Sequence, residues 1–152
     1  MREMNTDCDN HSRVQGLAPI TPLVKKPNEM PGLALAYMGD AVWEMFVRQH
    51  LLCKGEMQPN RLHKYATHYV KAKSQADVLH YLTESLSEEE LAVVKRGRNA
   101  KSGSTPKNGD IIDYRYATGF ESLLGYLYLH GRFDRLQELA SRSIEWLESQ
   151  DN

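Results

Sequence analysis

The sequence predicts an all-α domain. Three observations carry this: apolar residues recur at spacings of three and four from Leu33 onward, no stretch alternates with a strand's period of two, and helix start and stop signals punctuate the chain. Leu35, Met38, Val42, Met45, Phe46 and Leu52 share one face of the first helix, with Leu33 and Val47 well off it. A helix apolar on more than one side is usually central and buried. The segment Gly55 to Pro59 ends it. A second helix is expected from Asn60, as N-cap, through Tyr69, and a third from Ser74 to Leu82. Ser87-Glu88-Glu89-Glu90 has the form of a capping box and opens a fourth, reaching about Arg96. Gly97 to Gly109 holds three glycines, a proline and small polar residues, and is expected as a loop. Asp110 starts a fifth helix with Phe120, Leu124 and Leu127 on its core face. Gly131 breaks that helix, and Phe133 to Leu147 forms a last amphipathic one.

Residues 1–30 carry Pro19, Pro22 and Pro27 with no apolar period, and are expected as a flexible tail; residues 31–149 form the folded domain and 150–152 its C-terminal end. The 152 residues suffice for one core, and no stretch has the apolar length of a membrane span. There is no secretory signal, and the two cysteines, Cys8 and Cys53, build no disulfide framework, so a cytoplasmic protein is expected.

The net charge of -1 hides an uneven distribution. Lys95, Arg96, Arg98, Lys101 and Lys107 fall in one stretch free of acids, just after the acidic run Glu88 to Glu90. Such a stretch fits a phosphate-binding surface, and equally a solvated loop balanced by nearby acids. A nucleotide-binding P-loop is excluded, because the glycine spacing is wrong and no strand precedes it.

Two carboxylates stand out. Asp40, in Tyr37-Met38-Gly39-Asp40-Ala41-Val42, lies nearly opposite the main core face of its helix, next to Ala36, Tyr37 and Glu44. Glu121, in Gly119-Phe120-Glu121-Ser122-Leu123-Leu124-Gly125, is flanked by Ala117 and Gly125 one turn away on either side. Small neighbours let two helices approach closely, which could bring both carboxylates to one metal ion. Carboxylates and water suit magnesium, and a magnesium-bound water suits phosphodiester hydrolysis. Taken singly, Asp40 also fits an ordinary surface residue, and Glu121 an ion pair with Arg115. Glu44 is best placed to pair with Arg48 at i+4. His63 and His68 are five apart, on different helix faces, and no Cys/His cluster exists. Trp43, Tyr126 and Tyr128, among apolar neighbours, are expected in the core or an interface.

Leu35-Ala36-Tyr37-Met38-Gly39-Asp40-Ala41-Val42 resembles the signature helix of the ribonuclease III catalytic domain, and Phe120 to Leu129 resembles that domain's second acidic helix. Lys95 to Gly103, Thr105 to Asn108, and Ala72-Lys73-Ser74-Gln75-Ala76 resemble the Mini-III subfamily. The resemblance spans about Pro31 to Gly131. It implies an all-α, ribonuclease III endonuclease-like helical bundle, homodimeric and without a separate double-stranded RNA-binding domain. It further implies a magnesium-dependent endoribonuclease that cuts double-stranded RNA, leaves 5′ phosphates and matures both ends of the 23S ribosomal RNA precursor. Asp40 and Glu121 would be catalytic and would hold Mg²⁺. With no accessory domain, RNA binding falls to Arg96, Arg98, Asn99, Lys101, Thr105, Lys107 and Lys73. A ribosomal protein or the pre-50S particle presenting the substrate is left open, as is a non-catalytic RNA-binding module on the same fold. The chain departs from the wider pattern at Ala36 and Thr118, where ribonuclease III helices usually carry acids. A sparse metal site, rich in water ligands, is therefore expected.

Overall fold

The computed structural model describes residues 17–100 and 110–151. Within them the chain is helical and has no strand: α1 (Gly32–Cys53), α2 (Pro59–Val70), α3 (Ala72–Leu82), α4 (Glu88–Arg98), α5 (Ile111–Leu129) and α6 (Phe133–Ser149). Short 3-10 turns at Pro27–Glu29 and Thr83–Ser85 precede α1 and follow α3. Among the described residues no helix is long and apolar enough to cross a membrane.

Helix α5 is the axis of the bundle, packed by α1, α3 and α4. Its burial runs all round, through Ala117, Phe120, Leu123, Leu124, Tyr126 and Leu127. Trp43 joins three helices. Its ring meets Phe120 edge-on with centroids 5.1 Å apart, and its Nε1 donates to the Tyr69 carbonyl at 3.1 Å. Each fully buried Leu or Phe in this core contributes about 1.5–3 kcal/mol.

Helix α1 is central, but its core set differs from the one expected. Leu35, Val42, Trp43, Val47 and Leu51 are buried, whereas Met45 and Leu52 are exposed. The helix packs against α2, α4 and α5 together, so the buried sector is wider than one stripe and turned toward Val47. Helix α2 starts at Pro59 rather than after Asn60, since the ring of Pro59 presets the helical φ at the first position. Helix α4 has the expected capping box: Ser87 N–H donates to Glu90 Oε1 at 2.9 Å and Glu90 N–H to Ser87 Oγ at 3.1 Å. It then continues through Gly97 to Arg98, past the expected break. There a side chain would have no room, because a Cβ on Gly97 would meet Ser122 Cβ at 2.7 Å. Asp110 caps α5 by accepting from Ile112 N–H at 2.7 Å, and Gly131, at φ 71°, follows its end.

Only Lys71, extended at φ -63° and ψ 150°, separates α2 from α3. The carbonyls at the end of α2 are taken up by side chains of α3: Ser74 Oγ donates to His68 at 2.6 Å and Gln75 Nε2 to Val70 at 3.1 Å. Of the expected tail, residues 1–16 lie outside the described residues. The part next to α1 is fastened to the bundle: Pro27 is buried, and Asn28 Nδ2 donates to the Tyr126 hydroxyl at 3.3 Å.

Candidate active site

The site is built where α1 crosses α5. A Cβ on Gly39 would collide with the Glu121 carbonyl oxygen and stand 2.9 Å from the Gly125 nitrogen. A Cβ on Gly125 would collide with the Leu35 carbonyl and stand 2.9 Å from the Gly39 nitrogen. The two backbones therefore touch, each glycine seated against the other helix. Asp40 and Glu121 lie beside these contacts, and their side chains meet. Asp40 is exposed and Glu121 half-buried, with the two carboxyls in hydrogen-bonding reach. Burial first, then the charge of Asp40 and the bond to it, push the Glu121 carboxyl up to about 8.

Ala36 and Thr118, the positions without acids, are both buried. Thr118 turns its hydroxyl back to the Tyr114 carbonyl at 2.9 Å. Among the described residues neither Asp40 nor Glu121 is in a salt bridge, and no third His, Cys, Asp or Glu completes a metal-binding group. Glu44, one turn beyond Asp40, is engaged by Arg48, whose Nη2 lies 2.8 Å from it. Two facing carboxylates with no salt-bridge partner fit a hard divalent cation, which would offset the burial and the repulsion that raise Glu121. Asp40 and Glu121 are the residues that would hold it.

The expected RNA-binding residues fall into three groups. Lys101, Thr105 and Lys107 lie outside the described residues. Arg98 and Asn99 sit at the C-terminal end of α4, with the Arg98 guanidinium 5.6 Å from the centre of the Tyr116 ring. Tyr116 is in turn packed by His80, centroids 4.4 Å apart. Lys73, on α3, pairs with Asp77 at 3.3 Å. Arg96 is differently engaged: its Nη1 donates to the main-chain carbonyls of Asn28 at 2.7 Å and Met30 at 3.1 Å. Tyr128 is half-buried, while Trp43 and Tyr126 are core residues.

The chain has known relatives. Residues 33–132 match the Ribonuclease III domain family. A Mini-ribonuclease 3 of Brevibacillus brevis is 54% identical over 128 residues, covering 84% of this chain and 96% of that protein. A Mini-ribonuclease 3 of Symbiobacterium thermophilum is 48% identical over 122 residues, covering 80% and 94%. The chain belongs to the Mini-ribonuclease 3 family. An X-ray structure of a Fusobacterium nucleatum protein, 29% identical, superposes with a TM-score of 0.72 over 80% of this chain and 98% of that one.

As a Mini-ribonuclease 3, the chain is an endoribonuclease on a ribonuclease III fold. The domain match runs through α1 to α5 and ends just beyond Gly131, so it contains both helices of the crossing. Three residues bearing on the site escaped the sequence reading. Gly39 was read only as part of a motif, although a glycine next to an acid on a buried helix is a signal of close approach. Tyr116 and His80 carried no signal, since Tyr116 meets Arg98 and His80 from two other helices.

Proposed function

We propose that this Mini-ribonuclease 3 cleaves double-stranded RNA with Mg²⁺ held by Asp40 and Glu121, leaving 5′ phosphates, and that it matures the 5′ and 3′ ends of the 23S ribosomal RNA precursor. The observation that carries the reading is the carboxylate pair itself: two acids brought together by main-chain contact, with Glu121 pushed up to about 8 by burial and by the charge of Asp40. Bound there, the cation would neutralise a phosphate oxygen and lower the pKa of an attacking water.

The chain's own part is to fix the two carboxylates on rigid helices and to hold the duplex. A-form RNA is recognised through its phosphates and 2′-hydroxyls across a wide minor groove. Arg98, Asn99, Lys101, Thr105, Lys107 and Lys73 supply donors of that kind. Phosphate contacts from a few bases give binding that weakens steeply with salt.

A homodimer is part of the same proposal. The outward face of α1 leaves Leu33, Tyr37, Met45 and Leu52 exposed, Tyr37 by 86%. These flank Asp40 along one helix, and a second copy covering them would set two carboxylate pairs against the two strands of one duplex.

The test is a cleavage assay on a long RNA duplex. The expected result is cutting with MgCl₂, none with EDTA, and 5′-phosphorylated ends on the products. Asp40→Asn should still bind the duplex but leave it whole. Intact duplex in the presence of Mg²⁺ and bound enzyme would sink the substrate and metal assignment together. A 23S precursor stem cut no faster than an unrelated duplex of equal length would sink the assignment to that RNA.

A further inference from the structure

Arg96 lies in the basic segment, and part of its guanidinium is engaged within the protein. One guanidinium nitrogen, Nη1, is committed to two main-chain carbonyls, those of Asn28 and Met30. Both belong to the turn that delivers the chain into α1, whose N-cap, Pro31, makes no side-chain cap. The main chain of the same residue also meets α1: a Cβ on Gly32 would lie 2.7 Å from the Arg96 carbonyl oxygen. Ser122, the neighbour of Glu121, completes the junction by placing its hydroxyl 2.8 Å from the Gly32 carbonyl. The last turn of α4, the start of α1 and the middle of α5 are thus locked at one point.

We infer that Arg96 is a positioning residue: it anchors the last turn of α4, which carries Arg98 and Asn99, to the start of the helix that carries Asp40. A duplex held by Arg98 and Asn99 is thereby referred to the same frame as the carboxylate pair. The lever is short and stiff, because α1 is unbroken from Gly32 through Asp40. This inference rests on the assignment of RNA binding to Arg98 and Asn99.

The consequence separates Arg96 from Arg98 by experiment. Arg96→Gln should lower kcat at saturating duplex on the order of tenfold or more, since small misplacements of reacting groups carry large rate penalties. The slope of log Kd against log salt should stay as in the parent protein, whereas Arg98→Gln should reduce it by roughly one contact. In the RNA-free protein, Arg96→Gln should speed amide exchange at Ala34 and Leu35, which bond to the Pro31 carbonyl at 3.0 and 3.1 Å, and leave α6 unchanged. Where the glutamine variant does not fold, Arg96→Lys is read by the same two measurements. A reduced salt slope with unchanged kcat would make Arg96 a phosphate ligand and overturn the inference. Unchanged exchange at Ala34 and Leu35 would overturn it as well. A parent protein whose duplex binding ignores salt would instead fail the assignment of RNA binding, while the exchange measurement still decides whether Arg96 anchors α1.

Discussion

The main-chain carbonyl of Glu121 occupies the space that a β-carbon on Gly39 would need. Neither partner in this contact is a flexible side-chain end, so a methyl group can be admitted only by moving a helix. Gly39→Ala should destabilise the fold by about 1–3 kcal/mol or more. Activity should fall by roughly a hundredfold where the protein still folds, because the two carboxylates shift with their helices. Thermal unfolding together with kcat measures both. A variant of parental stability and rate would show that the crossing tolerates separation.

Glu121 gives the metal-free protein a distinctive pH profile. Its folded pKa of about 8 lies above the ordinary 4.5. Its contribution to stability is therefore complete below about 4.5 and is lost as pH rises through 8. In EDTA, Tm should decline across that window. Glu121→Gln should flatten the decline, and Mg²⁺ should oppose it by binding the ionised pair. A Tm independent of pH from 5 to 9 would contradict the burial of this carboxyl.

Glu90 makes the opposite prediction. Burial alone would raise its carboxyl, but Arg135 and the Ser87 N–H outweigh that and hold it below the ordinary value. Arg135 grips it with two donors, Nε and Nη2, each at 2.9 Å. The resulting stabilisation is present above the ordinary carboxylate range and lost as pH falls through the lowered value. Glu90→Ala should cost about 2–4 kcal/mol by removing both the cap and the partner of Arg135. Acid unfolding should lose part of its steepness in the same variant. Equal denaturation midpoints for parent and variant would rule this out.

Tyr116 supports Arg98 from below, with its ring 5.6 Å from the guanidinium carbon. Tyr116→Ala should weaken duplex binding by about 0.5–1 kcal/mol while Tyr116→Phe retains it, since the ring face and not the hydroxyl makes the contact. Titrations of RNA against the two variants decide it. Equal losses in both would point to the hydroxyl.

Much of the fold was legible in the sequence because its signals are local. The Ser87–Glu90 capping box, the Asp110 cap and the break at Gly131 each depend on a few neighbouring residues, and each is where the pattern put it. Gly97 misled because low helix propensity is overridden by a tertiary contact, the seat it provides for Ser122. Met45 and Leu52 misled because a single-stripe reading cannot anticipate three packing partners. At the site, motif singles out Asp40 and Glu121, and the structure brings the two together. Their closeness was expected from small neighbours, but the contacts that set it, Gly39 on Glu121 and Gly125 on Leu35, depend on the register of two helices far apart in the chain. The same holds for Arg96, whose partners are backbone carbonyls and leave no trace in composition.

The bend at Lys71 has a consequence for how this chain can change length. One extended residue joins α2 to α3, and Ser74 and Gln75 reach back from fixed positions to close the end of α2. Adding a residue there would turn the first turn of α3 by about 100°. Both side chains would then miss their carbonyls, and Lys73 would face another direction. The connection from Lys54 to Gln58, exposed over most of its length, has no such reciprocal lock. Insertions and deletions should therefore be accepted between α1 and α2 and rejected between α2 and α3.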